Sequence, residues 1–200
     1  NSINKNLQKF LKKKIFWCAA STHKGEEIIA ANIQLELQKK NKNFFTIIIP
    51  RHVQRSIEIA NDLQKMGLKT HLHTSQKKID KKTQVYIVDT YGETLAFYKR
   101  CKIIFLGKSL TAEGGQNPLE PLRYNCKVLH GPKVSNFKDI YKELNKNSIA
   151  IKVNSKNQLS EKIDFLITKK IGSENIQNKI NLIGRKILKK TLNEFQLHIN

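Results

Sequence analysis

Short apolar runs alternate with longer amphipathic segments along most of this 200-residue sequence, and that alternation constrains the fold more than any other feature. Runs such as FFTIIIP at 44–50 and KIIFLG at 102–107 have the length and apolar content of fully buried strands. Segments such as Glu26 to Lys40 repeat apolar residues at helical spacing. Buried strands that alternate with helices predict a parallel sheet covered on both faces, with right-handed crossovers. We therefore expect an α/β protein with a Rossmann-like, doubly wound parallel sheet.

The alternation predicts the elements in order along the chain. Strands are expected at residues 15–19, 44–50, 68–73, 84–90, 102–107, 126–132 and 149–153. Helices are expected at residues 26–40, 56–66, 93–100, 118–124, 135–145 and 158–168, followed by a helical C-terminal segment at about 173–200. No internal repeat or low-complexity linker interrupts this order, so residues 1–200 are expected to form a single domain.

The chain is strongly basic, with 37 Lys and Arg against 16 Asp and Glu, for a formal net charge of +21. Only five of those 37 residues are Arg. Base readout and bidentate phosphate recognition favour Arg over Lys. We therefore expect a solvated, Lys-rich surface that is attracted to an anionic membrane surface, and no dedicated nucleic-acid site.

Several other classes of protein are excluded or disfavoured. No run of about 18 apolar residues is present, so no segment is expected to span a membrane. Three Cys at wide spacing predict buried, reduced thiols and not a disulfide framework. His71 and His73 alternate on one predicted strand without a third ligand near in sequence, so no metal site is expected.

Sheets of this kind bind ligands at the carboxyl ends of their strands, so the polar residues that follow each strand are the candidates for a site. After the first strand, Ser21, Thr22 and Gly25 would let backbone N–H groups approach an anion at a helix start. The alternative is that Ser21 or Thr22 only caps that helix, whose first turn holds Glu26 and Glu27.

A basic cluster follows the second strand, where Pro50, Arg51 and His52 are succeeded by Arg55. Cations beside a helix N-terminus oppose the helix dipole, so a bound phosphate would explain the cluster. The alternative is an arginine on a surface loop.

The segment DTYGE, residues 89–93, follows the fourth strand. Thr90 and Glu93 match a capping box for the next helix. Gly92 within that box is unexpected for a cap alone, and it suggests a ligand that passes close to the backbone.

The segment GKSLTAEGGQNPLEP, residues 107–121, follows the fifth strand. Asn117 and Glu120 are expected as the N-cap and N3 residues of a short helix, with Pro118 at N1. Capping does not explain the Gly-Gly pair directly before that helix, and this combination predicts an anion or nucleotide site. After the sixth strand, GPKVSNF is expected either to form a wall of the site or to be a plain turn.

Together these segments resemble one family. AASTHKGEE, PRH, DTYGE, GKSL, GGQNPLEP and GPKVSNF occur in the order seen in the bacterial 3-deoxy-D-manno-octulosonic acid (Kdo) transferases, the lipid A Kdo transferase family. The resemblance runs from about Phe16 to Phe137, and six ordered motifs make it highly specific. Two positions depart from the family pattern, with Lys108 where a second Gly is usual and Gln116 where His is frequent.

The resemblance implies one half of a GT-B glycosyltransferase, in which two Rossmann-like domains face each other across a cleft. Residues 1–200 would be the C-terminal half, a domain that binds the donor CMP-Kdo for inverting transfer without metal or cofactor. The acceptor would be the lipid A precursor, lipid IVA, in lipopolysaccharide biosynthesis at the cytoplasmic face of the inner membrane. The acceptor site, an acidic catalytic base and a membrane anchor would belong to an N-terminal domain absent from this chain. This chain alone would then hold no catalytic residue, and it would be soluble and inactive.

The resemblance also implies which residues bind the donor. Arg51 would face the CMP phosphate, DTYGE would line the cytidine pocket, and Glu120 would accept hydrogen bonds from the ribose hydroxyls. The implied donor-binding residues are Pro50, Arg51, His52, Tyr91, Gly92, Glu93, Asn117, Pro118, Leu119 and Glu120, with weaker candidates at Ser21, Thr22, Ser109, Gly114 and Gly115.

Two other functions stay open. Another GT-B enzyme with a different nucleotide-sugar donor would share the Gly-Gly loop and Glu120, and titration with CMP against UDP would separate the two. A basic nucleic-acid-binding module would show salt-sensitive binding of RNA or DNA. That module leaves six ordered strand-end motifs unexplained.

Overall fold

The computed structural model of the chain describes residues 3–169, 176, 178–182 and 185. The strands of its sheet are β1 (Ile15–Thr22), β2 (Phe44–Pro50), β3 (Thr70–Leu72), β4 (Val85–Ile87), β5 (Ile103–Leu106), β6 (Lys127–His130) and β7 (Ala150–Lys152). Their order is β3-β4-β2-β1-β5-β6-β7, and each neighbouring pair is parallel. From β1 the chain passes to β2 and to the edge strand β3 before β4 inserts between them, and from β5 it winds outward to β7. The predicted doubly wound parallel sheet is therefore confirmed, with its switch point between β1 and β5.

Helices precede β1, follow β7 and connect most of the strands between them, while β3 leads to β4 without a helix. The helices are α1 (Lys5–Leu11), α2 (Glu26–Lys40), α3 (Ser56–Lys65), α4 (Thr94–Tyr98), α5 (Leu119–Arg123), α6 (Lys138–Lys146) and α7 (Lys156–Thr168). Short 3-10 turns at Val53–Arg55 and Ser135–Phe137 precede α3 and α6. The helical segment predicted at 173–200 lies for the most part outside the described residues. Within the described part of the chain, no helix has both the length and the apolarity needed to cross a bilayer.

Helices cover both faces of the sheet because successive strand residues point to opposite sides. On one face, Trp17 and Ala19 of β1 belong to a buried cluster that also contains residues of α2, α3 and α7. On the other face, Cys18 and Ala20 belong to a cluster with residues of α1, α4, α5 and α6. Burial on both sides explains why the strands appear in the sequence as continuous apolar runs.

Helix α1 is not among the elements that the sequence patterns above predict. Its N-cap is Asn4, whose Oδ1 accepts a hydrogen bond from the N–H of Leu7 at 2.8 Å. Leu7 and Leu11 are buried on the sheet face that α4, α5 and α6 also cover. Two buried leucines and one cap therefore fix a helix that is too short to show a clear period.

The three cysteines are free and buried, as the sequence predicts. The sulfur of Cys126 lies 3.2 Å from the carbonyl oxygens of both Tyr98 and Cys101. Burial raises the pKa of Cys126 to about 12. The thiol is therefore protonated at neutral pH, and its role is packing.

Candidate functional site

One buried carboxylate joins the loops that follow β1 and β5, on either side of the switch point. Glu26, in the first turn of α2, is 1% exposed and accepts four backbone hydrogen bonds. Its Oε2 accepts from the N–H groups of His23 at 2.9 Å and Lys108 at 2.8 Å. Its Oε1 accepts from those of Ser109 and Leu110, both at 3.1 Å. Four charge-assisted bonds offset the cost of burying the carboxylate, so Glu26 fixes the geometry of both loops.

The loop after β1 starts α2 without a side-chain cap, so the interpretation of Ser21 or Thr22 as its cap is wrong. The N-cap is Gly25, with φ 93° and no side-chain hydrogen bond. Ser21 is half-buried and adopts φ 54°, the left-handed region that side-chain-bearing residues seldom occupy. Thr22 is fully buried, and its hydroxyl has no hydrogen-bond partner among the described residues.

Gly107 and Gly131 allow the loops at this edge of the sheet to approach closely. A Cβ on Gly107 would lie 2.5 Å from the carbonyl oxygen of Ser21, and a Cβ on Gly131 would lie 2.0 Å from that of Ser109. The fully buried Ser109 hydroxyl donates to the carbonyl of Leu106 at 2.6 Å and accepts from the N–H of Gly131 at 2.9 Å. Because this hydroxyl is engaged within the protein, we expect Ser109 to shape the loop and not to contact a ligand.

The basic cluster after β2 contains two arginines in different states. Arg55 forms a two-pronged ion pair with the buried Glu27, with N–O distances of 3.0 and 3.5 Å. Its charge is therefore balanced within the protein, and it does not belong to an open phosphate site. Arg51 is exposed, and its backbone N–H donates to the carbonyl of Thr22 at 3.0 Å. Its guanidinium makes no hydrogen bond or ion pair with any residue that the structure describes.

Residues near Arg51 connect the loops that follow β1, β2 and β4. Pro50 is buried as the last residue of β2. The exposed ring of His52 meets that of His23 edge-on, with 5.7 Å between centroids. Tyr91 is 66% exposed, and its hydroxyl donates to Oε1 of Gln54 at 3.2 Å.

The carboxylate of Glu93 is held by His73, which follows the edge strand β3. Its Oε2 lies 2.9 Å from Nε2 of His73, whose Nδ1 lies 2.9 Å from the hydroxyl of Tyr86. The capping box predicted with Thr90 is wrong, because α4 starts after Glu93 and the Thr90 hydroxyl has no partner among the described residues. Gly92 has φ 81°, and an added Cβ would meet no atom within 4 Å. Glycine is therefore favoured at this position by the positive φ and not by a close neighbour.

The Gly-Gly pair belongs to the loop after β5 and packs against the loop after β6. Gly114 and Gly115 are buried and have φ values of 117° and 70°. The N–H of Gly115 donates to the carbonyl of Lys108 at 2.8 Å, and the N–H of Asn136 donates to that of Gly114 at 3.1 Å. GPKVSNF therefore packs against this loop, and its role as a wall of the site stays a prediction.

Helix α5 starts one residue later than predicted, so Pro118 and not Asn117 precedes its first residue. Asn117 Oδ1 still accepts from the N–H of Leu119 at 3.0 Å. Glu120 is exposed, and within the described residues its carboxylate makes no hydrogen bond or ion pair, including the predicted bond to Asn117. That carboxylate is open to a ligand.

The histidines of the β3 edge both contact the ring of Tyr86. His71 stacks on Tyr86, with 5.5 Å between ring centroids. In the described part of the chain, no three His, Cys, Asp or Glu side chains are grouped so that they could hold a metal ion.

Comparison with known proteins identifies the relatives of this chain. No protein-family model matches it. The 3-deoxy-D-manno-octulosonic acid transferase of Haemophilus influenzae is 32% identical over 163 residues, which are 81% of this chain and 38% of that protein. This chain is a homologue of the Kdo transferases. It spans about a third of the length of the curated relatives that it matches.

Solved structures agree with this homology. The C-terminal CMP-Kdo binding domain of WaaA from Acinetobacter baumannii superposes with a TM-score of 0.81 at 25% identity, over 89% of this chain and 93% of that one. Trehalose-6-phosphate synthase superposes with a TM-score of 0.58 at 12% identity, over 98% of this chain and 45% of its own, which shows the fold alone. The Rossmann-like fold is that of GT-B glycosyltransferase domains, as the sequence resemblance implies. The roles of the individual site residues stay predictions.

Proposed function

We propose that this chain is the donor-binding domain of a Kdo transferase and that it binds CMP-Kdo at the carboxyl edge of the sheet. The observation that carries the proposal is the structural similarity to the CMP-Kdo binding domain of WaaA over nearly the whole of both chains. The switch point between β1 and β5 is where sheets of this type bind nucleotides.

The phosphate of CMP would bind beside Arg51. When the bond to Kdo breaks, the departing CMP phosphate gains negative charge. A guanidinium without an internal partner can stabilise that charge as it develops, and the fork of Arg suits phosphate oxygens. Pro50 and His52 would set the position of Arg51, while Ser21, Thr22, Gly114 and Gly115 would border the phosphate and sugar.

The nucleoside would bind between the loops after β4 and β5. The open carboxylate of Glu120 suits the two vicinal ribose hydroxyls, because it accepts two hydrogen bonds at once. Asn117, Pro118 and Leu119 would hold the nucleotide beside it. Tyr91, Gly92 and Glu93 would line the cytidine pocket, with Glu93 oriented by its contact with His73.

The complete enzyme would need parts beyond these residues, since the relatives are much longer than this chain. We propose that residues 1–200 form one domain and that another domain supplies the acceptor site, the catalytic base and the membrane anchor. The acceptor would be the lipid A precursor at the cytoplasmic face of the inner membrane, with inverting, metal-independent transfer. Because half of the cleft would be missing, this chain alone should transfer no Kdo.

Calorimetric titration of the chain with CMP, UDP and cytidine tests the donor assignment. We expect CMP to bind more tightly than UDP, because the base pocket selects cytosine, and more tightly than cytidine, because Arg51 recognises the phosphate. Preference for UDP would favour another GT-B donor. Salt-sensitive RNA binding without CMP binding would favour the basic nucleic-acid module. Kdo transfer to a lipid A precursor by this chain alone would contradict the two-domain proposal.

A further inference from the structure

Lys108 holds an unusual position in the Gly-Gly loop. Its φ is 54°, in the left-handed region, which a residue with a Cβ adopts only at a cost in energy. Of the described non-glycine residues with positive φ, Lys108 alone carries a charged side chain, the others being Ser21, Asn125 and Ser148. Strained residues of this kind concentrate at functional sites.

The side chain of Lys108 packs over Gly114. A Cβ built on Gly114 would lie 3.2 Å from the ammonium nitrogen of Lys108 and 3.0 Å from the amide nitrogen of Asn136. Because Gly114 has no Cβ, these two side-chain hydrogen-bond donors both pack against its Cα. Neither of these nitrogens has a hydrogen bond or ion pair within the described residues. The carboxylate of Glu26 in α2 accepts from the backbone N–H of Lys108 and not from its ammonium.

Lys108 lies on the same edge of the sheet as Arg51. Strands β2 and β5 flank β1, so the loops that carry Arg51 and Lys108 start about 10 Å apart, within reach of two long side chains. If the proposed function holds, the donor carries two anionic groups, a phosphate and the carboxylate of Kdo. Two cations without internal partners match that charge pattern.

We propose that Lys108, with Asn136 beside it, pairs with an anionic group of the donor and acts as a second cationic contact besides Arg51. This inference rests on the proposed function. The anion is either the phosphate or the sugar carboxylate, and the two sources can be separated by comparing CMP with CMP-Kdo. Asn136 contributes a neutral donor, so the charge-dependent part of the contact comes from Lys108.

The test measures the affinity of the 200-residue chain for CMP and CMP-Kdo in three variants. Lys108→Gln removes the charge, and Lys108→Gly removes the charge together with the backbone strain. Lys108→Arg keeps the charge. We expect the first two to bind CMP-Kdo about tenfold more weakly and Lys108→Arg to retain most of the affinity. Lys108→Gly should melt no lower than the unsubstituted chain, because glycine adopts this φ without cost. Its loss of affinity would then not come from unfolding.

Lys102→Gln is the matched control, because exposed Lys102 precedes the opposite end of β5 and its loss changes the net charge equally. If Lys108→Gln weakens CMP as much as CMP-Kdo, the partner is the phosphate, and if it weakens only CMP-Kdo, the partner is the carboxylate. Unchanged affinity in Lys108→Gln, or an equal loss in Lys102→Gln, overturns the inference and leaves the proposed function standing. Failure of the unsubstituted chain to bind either ligand overturns both.

Discussion

Glu26→Gln tests whether one carboxylate holds the loops after β1 and β5 together. The substitution keeps the size of the side chain but replaces one acceptor oxygen by an NH₂ donor. The oxygen that remains can accept from two of the four backbone N–H groups that Glu26 binds. The other two N–H groups would face the new amide NH₂, which is itself a donor, and would lose their acceptor.

The magnitude follows from those two groups. Leaving a buried N–H without an acceptor costs about 1–3 kcal/mol, so two of them cost about 2–6 kcal/mol. Removing a buried charge offsets part of this loss of stability, because the folded chain no longer contains a desolvated carboxylate. We therefore expect the free energy of unfolding to fall by about 2–4 kcal/mol, which is large for a single substitution.

Urea unfolding of the chain measures this difference, and Glu36→Gln is the control because Glu36 is an exposed residue of the same helix. The control should change the free energy of unfolding by less than about 0.5 kcal/mol. Glu26→Gln should also weaken CMP binding at temperatures where the variant is still folded, because both loops lose their common anchor. A loss of stability no larger than that of the control would refute the assignment of Glu26.

Three further predictions concern binding and pH. Arg51→Ala should weaken CMP binding about tenfold in calorimetry and leave cytidine binding unchanged, with Arg51→Lys between, because the fork geometry is lost. Equal CMP affinities would make Arg51 an ordinary loop residue. Glu120→Gln should bind CMP about tenfold more weakly without a lower melting temperature, and 2′-deoxy-CMP should lose much less. A lowered melting temperature with unchanged affinity would make Glu120 only a structural residue. Burial lowers the pKa of His130 despite its hydrogen bonds to Asn145 and Gly131. Protonation therefore favours the unfolded chain, whose His pKa is about 6.5, so stability should be full above that pH and decline below it. His130→Gln should flatten this acid-side decline in thermal unfolding, and an unchanged slope would contradict the role of His130.

Much of the fold could be predicted because both faces of the sheet are buried. The run FFTIIIP is fully buried in β2, so its period-free apolar character identifies an inner strand. The sequence does not reveal that β4 lies between β2 and β3, although β2 and β4 are fully buried and the edge strand β3 is half-buried. Strand order is decided by long-range pairing and not by local pattern.

The site shows a sharper limit. The location of the candidate residues at strand ends follows from the topology of the sheet, but their partners do not. In the sequence, Glu26 looks like an ordinary glutamate in the first turn of a helix. Three of the backbone N–H groups that it binds, those of residues 108–110, lie 82 or more residues away in the chain. Likewise Glu93 matches a local capping box, yet its carboxylate pairs with His73 from another strand loop. Tertiary contacts replace the local bonds that the motifs predict.

A crystal structure of the chain with CMP tests the central proposal most directly. The account predicts CMP at the carboxyl edge of the sheet, with its phosphate within hydrogen-bond distance of the Arg51 guanidinium and its ribose hydroxyls on the Glu120 carboxylate. CMP bound at another face, with both side chains still free of ligand, would contradict it.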